Sequence, residues 1–118
     1  MIQIKRVYEP PAKTDGHRIL IDRLWPRGIK KADLPFDTWE KDLAPSPALR
    51  KEFAHKPENF ATFRAAYRAE LRKPPSQEKL RALAQLAKKD TVTLLYAARD
   101  PQINHAVVLL SALNHLAS

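Results

Sequence analysis

The residues that most constrain the fold are Ile19-Leu20-Ile21, an uninterrupted apolar run set directly before Asp22-Arg23-Leu24-Trp25-Pro26-Arg27-Gly28. An apolar run without alternation suits a strand covered on both faces, so residues 18–24 are predicted as a central strand. Pro26 lacks the amide that continued pairing needs, and Gly28 permits a positive φ. The strand therefore runs into a loop that carries two arginines and a tryptophan.

The rest of the chain supplies partners for this strand. Residues 2–8, Ile-Gln-Ile-Lys-Arg-Val-Tyr, alternate loosely and are rich in β-branched side chains, which predicts a first strand ended by Glu9-Pro10-Pro11. The connection onward through Asp15-Gly16 and His17 is too short for a helical crossover, and His17 reads as a loop residue. Residues 29–33 suit one helical turn, and residues 36–43 a short strand or extended segment. Ser46 and Pro47 then form an N-cap and first-turn pair. A helix over about 58–72 puts Phe60, Phe63, Tyr67 and Leu71 on one face, with Arg64, Arg68 and Arg72 in a row opposite. Lys73-Pro74-Pro75 breaks it, and Ser76 opens a third helix running to Lys89. Residues 91–96 form the clearest strand, and Asp100-Pro101 is expected to cap a last helix that is apolar on most sides.

Strands, then helices, then a strand feeding a buried helix describe an α/β sandwich with a small, mostly parallel sheet of three or four strands and about four main helices. With 118 residues, 44% of them hydrophobic, positions 1–118 suit one domain with one core. The absence of cysteine excludes disulfides, thiolate metal sites and cysteine nucleophiles, and suits a reducing cytoplasm. The first residues do not read as a signal peptide, and no apolar run approaches the ~20 residues of a membrane span. A soluble, cytoplasmic protein is expected. The net charge of +8 favours phosphorylated or polyanionic partners. Its excess sits in residues 1–33 and 57–90, each with eight basic against four acidic residues.

Ligands of parallel sheets collect beyond the carboxyl ends of the strands. Asp22, Arg23, Trp25, Arg27 and Gly28 follow one strand, while Tyr96, Arg99, Asp100, Asn104 and His105 follow another. If the two strands are parallel neighbours, these groups form a split anion site. Arginine forks and a helix N-terminus favour phosphate or carboxylate, and Trp25 or Tyr96 offers a stacking face. His105 is the candidate acid or base, since imidazole ordinarily titrates near neutrality, and Asp22 would orient it or Arg23. The alternative is an Asp22–Arg pair fixing a loop and a histidine bonded to a carbonyl. The four histidines have no paired metal-ligand spacing, two glycines cannot build a Gly-rich phosphate loop, and Gly-x-Ser-x-Gly is absent, so no metal or cofactor is expected.

Lys5-Arg6-Val7-Tyr8, Asp15-Gly16, Asp22-Arg23-Leu24-Trp25-Pro26-Arg27-Gly28, Leu43-Ala44-Pro45-Ser46, Phe63-Arg64-Ala65-Ala66-Tyr67 and Thr93-Leu94-Leu95-Tyr96-Ala97-Ala98 with Asn104-His105-Ala106 are shared features. On these the chain resembles the YeaO-type bacterial proteins over essentially its whole length. They belong to a wider family of domains of unknown function. The resemblance implies a small Rossmann-like fold, a three-layer sandwich. In longer relatives a Cys-x-Glu segment matches residues 96–98 and a Cys-His-Arg segment matches residues 104–106; only the histidine is kept here, so thiol chemistry does not carry over. A winged-helix regulator label attached to some members finds no helix-turn-helix and β-wing in this chain.

Three functions follow as expectations. The first is binding of a small phosphorylated or otherwise anionic ligand at the strand ends, with or without catalysis through His105 and Asp22. The second is nucleic-acid binding through Arg64, Arg68 and Arg72, whose spacing of four aligns them along one helix face. The third is a homodimer built on the edge of the last helix.

Overall fold

The structure, a computed structural model, describes residues 1–117. Four strands, β1 (Ile2–Arg6), β2 (His17–Leu20), β3 (Thr38–Trp39) and β4 (Val92–Tyr96), form one sheet in the order β1-β4-β2-β3. Every pairing is parallel, and β2 and β4 are neighbours in the interior of the sheet. The apolar run at 19–21 explains the placement of β2: Ile19, Leu20 and Ile21 are all buried. β4 is buried throughout.

Helices α1 (Pro47–Phe53), α2 (Phe60–Leu71), α3 (Ser76–Lys89) and α4 (His105–Ala117) complete the fold. Ser46 caps α1 as its sequence suggests, its Oγ accepting the Leu49 amide at 3.2 Å. The spacing of three and four along α2 buries Phe63, Tyr67 and Leu71, and Phe63 stacks on Phe53 of α1 with ring centroids 4.3 Å apart. Leu80, Leu83, Ala84 and Ala87 of α3 and Ala106, Val108, Leu109 and Leu113 of α4 join the same core.

All four helices share that core with the side chains of Ile19, Ile21, Val92, Leu94 and Tyr96, which lie on one face of the sheet. The opposite face carries Val7, Leu20, Leu34 and Leu95, packed under Trp25, Ile29 and Trp39. The α/β sandwich with a parallel sheet is thus present, and its third layer is built from irregular chain and 3-10 turns rather than helices. The short β1–β2 connection holds only the turn Lys13–Asp15, and the β2–β3 connection, with Pro26, Gly28 and Pro35, holds only the turn Lys31–Asp33.

Beneath this irregular layer lies a buried polar cluster that sequence reading missed. The Asp15 carboxylate accepts from Lys5 Nζ at 3.0 and 3.2 Å, from the Ala12 amide at 3.0 Å and from the Arg18 guanidinium. Burial alone would raise the Asp15 pKa, but the Ala12 amide, Lys5 and Arg18 together hold it below the ordinary carboxylate value. Next to it Gly16 has φ +63°, and a Cβ there would stand 2.2 Å from the Thr91 carbonyl oxygen. Only glycine lets the two backbones approach closely enough for the His17 amide to donate to that oxygen at 2.9 Å.

The last helix begins later than expected. Asp100 makes its own turn, accepting the amides of Gln102 and Ile103 at 2.8 and 3.1 Å, and the chain then crosses to Asn104. Asn104 is the true cap: its Oδ1 accepts the Val107 amide at 3.0 Å. An Asx turn and an N-cap share one sequence signature, an acceptor side chain two or three residues before a free amide, which is why Asp100 reads as the cap.

Candidate functional site

Parallel pairing of β2 and β4 brings the two chemically rich strand ends side by side. The Ile21 amide extends the ladder by donating to the Leu95 carbonyl at 3.1 Å, so Asp22 leaves the sheet beside Ala97. The Asp22 Oδ2 accepts the Ala97 amide at 3.0 Å. Its Oδ1 lies 3.1 Å from His105 Nε2, the first residue of α4. His105 Nε2 is also 3.1 Å from the Ile21 carbonyl oxygen. Both neighbours are acceptors, so Nε2 carries the hydrogen. The bond geometry favours the carbonyl, and Oδ1 has no well-directed hydrogen bond of its own.

Asp22, His105 and Tyr67 form a compact group. The Tyr67 ring meets His105 edge-on at 6.3 Å, and its hydroxyl donates to the Leu43 carbonyl. Burial raises the Tyr67 pKa far above its ordinary value, with Glu70 and Asp22 adding to it. Tyr96 is buried at the end of β4; burial again raises its pKa, chiefly, with Glu9 reinforcing the effect.

The remaining predicted residues are placed as follows. Arg23 is engaged with backbone: its Nε and Nη2 donate to the carbonyls of Pro45 and Ala44 at 3.4 and 3.3 Å. Trp25 lies on the other face of the sheet, edge-on to Trp39 at 5.5 Å, with Nε1 donating to the Ile29 carbonyl at 2.6 Å. Arg27 is exposed, and its carbonyl accepts the Tyr8 hydroxyl at 2.9 Å. Gly28 uses its conformational freedom, with φ +78° in an open turn. Asn104, 1% exposed, spends Oδ1 on the α4 cap and Nδ2 on the Asp100 carbonyl at 2.7 Å. Arg99 is exposed. Sequence proximity to a strand end thus brings Asp22, Tyr96, Asn104 and His105 together, and leaves Arg27 and Arg99 as the solvent-facing cations there.

A second constellation lies on the far side of the helical layer. Arg68 and Arg72 of the predicted row open onto a cleft of about 330 Å³ between α2, α3 and α4, where Arg81 joins them from α3. Arg64, a turn earlier, instead covers the Phe60 ring, its guanidinium carbon 5.8 Å from the centroid. Leu71, Leu80, Ala112 and Leu116 supply the apolar part of the cleft, and Gln77, Ser111 and His115 the rest of its polar part. Arg68 Nη2 donates to Ser111 Oγ at 3.3 Å, which orients its guanidinium across the cleft. Among the described residues no aspartate or glutamate lines it. Arg81 went unread because it lies on a different helix. The signal was present nonetheless: the break at Lys73-Pro74-Pro75 folds α3 back beside the end of α2 and sets Arg81 near Arg72.

At the amino ends of the strands a third, shallower hollow of about 370 Å³ is bordered by His17 and Asp90, 3.3 Å apart and both well exposed. Among the described residues no helix is long and apolar enough to cross a membrane.

Comparison with known proteins agrees with the resemblance read from the sequence. The profile of a family described as the inactive DUF488-N3 subclade matches residues 1–117. The uncharacterized protein YeaO of Escherichia coli (strain K12) is 51% identical over 115 residues, covering 98% of each chain. Uncharacterized proteins of Mycobacterium tuberculosis and Mycobacterium bovis are 40% identical over 113 residues, 96% of this chain and 93% of theirs. No solved structure matches the chain significantly. The full-length profile match and the 51% identity together show that this protein belongs to the inactive DUF488-N3 subclade.

Proposed function

We propose that the protein is a non-catalytic binding domain that recognises nucleic acid through the basic side of its helical layer. The observation that carries this reading is the cleft between α2, α3 and α4, lined by three arginines, Arg68 of α2, Arg72 at its C-terminal end and Arg81 of α3, with no carboxylate among the described lining residues. Neighbouring cations that lack acidic partners repel one another, and an incoming phosphate relieves that repulsion. The excess of eight basic over four acidic residues in 57–90 extends the positive field beyond the cleft. The word inactive in the family description, and the absence of cysteine at the positions where longer relatives carry thiols, favour binding over turnover.

Fluorescence anisotropy of a labelled oligonucleotide across a salt series tests the reading. Each phosphate neutralised contributes a slope of about −0.9 in log K against log salt for duplex DNA and about −0.7 for a single strand. Replacing Arg68, Arg72 and Arg81 together with alanine is expected to flatten the slope by roughly two to three units. Binding that ignores salt, or that survives the triple replacement with the same slope, overturns the reading.

A second reading is favoured by the exposed Arg27 and Arg99 in the loops that follow β2 and β4, the same two strands whose ends carry the Asp22–His105 pair. Here a small phosphorylated or other anionic ligand would bridge the two loops, with His105 as the group able to move a proton. Amide NMR during a phosphate titration separates the two: shifts at residues 27, 28 and 99 support this site, and shifts at residues 68, 72 and 111 support the cleft.

A further inference from the structure

The cleft has a shape that electrostatics alone does not require. A row of arginines that merely tracks a duplex works best on a convex helix face, where each side chain reaches a phosphate independently. Here Arg64 stays on that convex face over Phe60, while Arg68 and Arg72 turn to the rim of a concavity. Its apolar wall is chiefly Leu116, 44% exposed, beside Ala112 of α4, with the edges of the core residues Leu71 and Leu80 at its floor, and it offers nothing to a phosphate or a sugar. It does suit a flat, weakly hydrated ring. Gln77, whose amide can donate and accept at once, stands in the same lining and matches the mixed edge of a nucleobase. At about 330 Å³ the cleft is near the lower end of ligand pockets, roughly 300–1,000 Å³, room for one nucleotide and too small for a base pair.

We infer that the α2–α3–α4 cleft receives a single unpaired nucleotide, with its phosphate held by Arg68, Arg72 and Arg81 and its base laid against Leu116 and Ala112 over the edges of Leu71 and Leu80. The inference rests on the nucleic-acid reading above and narrows it to single strands. The same chemistry is offered by a free nucleoside monophosphate and by an unpaired unit of a longer strand. Ser111 matters in both cases, because it holds Arg68 across the opening and sits where a larger side chain would fill the space.

The test measures wild-type protein against three probes at one salt concentration: a mixed set of nucleoside monophosphates, a single-stranded oligonucleotide and a blunt duplex of equal length. The single strand is expected to bind on the order of tenfold tighter than the duplex, the gain of about 1.4 kcal/mol that one buried ring can supply. A nucleoside monophosphate is expected to compete, and inorganic phosphate to compete less well. Ser111→Trp should remove the single-strand preference by filling the cleft, with an unchanged circular-dichroism melt as the folding control. Leu116→Ala, which removes apolar surface without adding charge, should lower the same preference from the rim. Equal, salt-sensitive binding of both oligonucleotides overturns the inference and leaves the nucleic-acid reading standing. Binding of monophosphates without either oligonucleotide assigns the cleft to a free nucleotide and overturns the nucleic-acid reading together with its narrowing to single strands. Failure of all three probes overturns both.

Discussion

At the carboxyl ends of β2 and β4 most polar side chains are occupied with the protein itself, whereas the α2–α3–α4 cleft is lined by three arginines with no acid among the described lining residues. Asp22 joins the Ala97 amide to His105, Arg23 ties down the carbonyls of Ala44 and Pro45, and Asn104 caps α4. The two regions hold similar residue types and use them in opposite ways. The first lies where the sheet ends and three chain segments meet, so each backbone group leaving the ladder needs a partner out of water. The second lies on the outer faces of helices, where most backbone groups are paired within their own helix and the helix ends face solvent, so fewer side chains there are needed as partners.

That contrast predicts that strand-end changes cost stability and cleft changes cost binding. The largest effects belong to the strand end and the layer behind it. Trp25→Ala should destabilise the fold by about 3 kcal/mol, because the ring fills the second core and its N–H bonds a carbonyl. Asp22→Ala should cost about 2 kcal/mol by orphaning the Ala97 amide and removing the neighbour of His105 Nε2. Thermal melts should show both, with nucleic-acid affinity unchanged in whatever fraction stays folded. A stable Asp22→Ala protein that no longer binds its ligand would reverse the assignment of the two regions.

Next in size is the cleft. Arg68→Ala with Arg72→Ala should leave stability within about 0.5 kcal/mol, as surface changes usually do, while weakening oligonucleotide binding by roughly 10-fold to 100-fold at low salt. A melting point that drops sharply would show that these arginines hold α2 to α4 rather than await a partner.

A third measurement concerns acid. The folded-state pKa of Asp15 is depressed, so its ion pairs stabilise the fold above the unfolded-state carboxylate pKa, near 4, and that contribution is lost as pH falls further toward the folded value. Urea titrations from pH 6 downward should therefore show stability falling below about pH 4, and an Asp15→Asn variant should start less stable and lose less. A wild-type curve parallel to the variant's would break the link. The smallest effect is expected for Arg27→Ala with Arg99→Ala, both exposed. Neither stability nor oligonucleotide binding should change appreciably; a lost response to small anions in that variant would instead favour the strand-end site.

Much of the architecture was legible residue by residue. The apolar run at 19–21, the Ser46-Pro47 cap, the aromatic spacing of α2 and the compact run at 92–96 each specify their element through neighbours a few positions away. So did the nearness of the two strand ends, once parallel pairing was assumed. Less legible was the layer over the second face. Residues 21–37 have no period to reveal that they pack as a layer, and Asp15 looked like half of a turn although it anchors Lys5 and Arg18. Arg81 was overlooked because its companions belong to another helix.

By itself, then, the sequence determined the elements, their order and the residue types available at the strand ends, since caps, periodicity and turn chemistry act over a few residues. Only the tertiary structure decided which polar groups are satisfied. Asp22 meets the Ala97 amide 75 residues away and Arg23 meets the Ala44 carbonyl 21 residues away, while Arg68, Arg72 and Arg81 converge from two helices on one cleft. Hydrogen-bond satisfaction depends on which groups share a space, and that is settled only when distant segments pack.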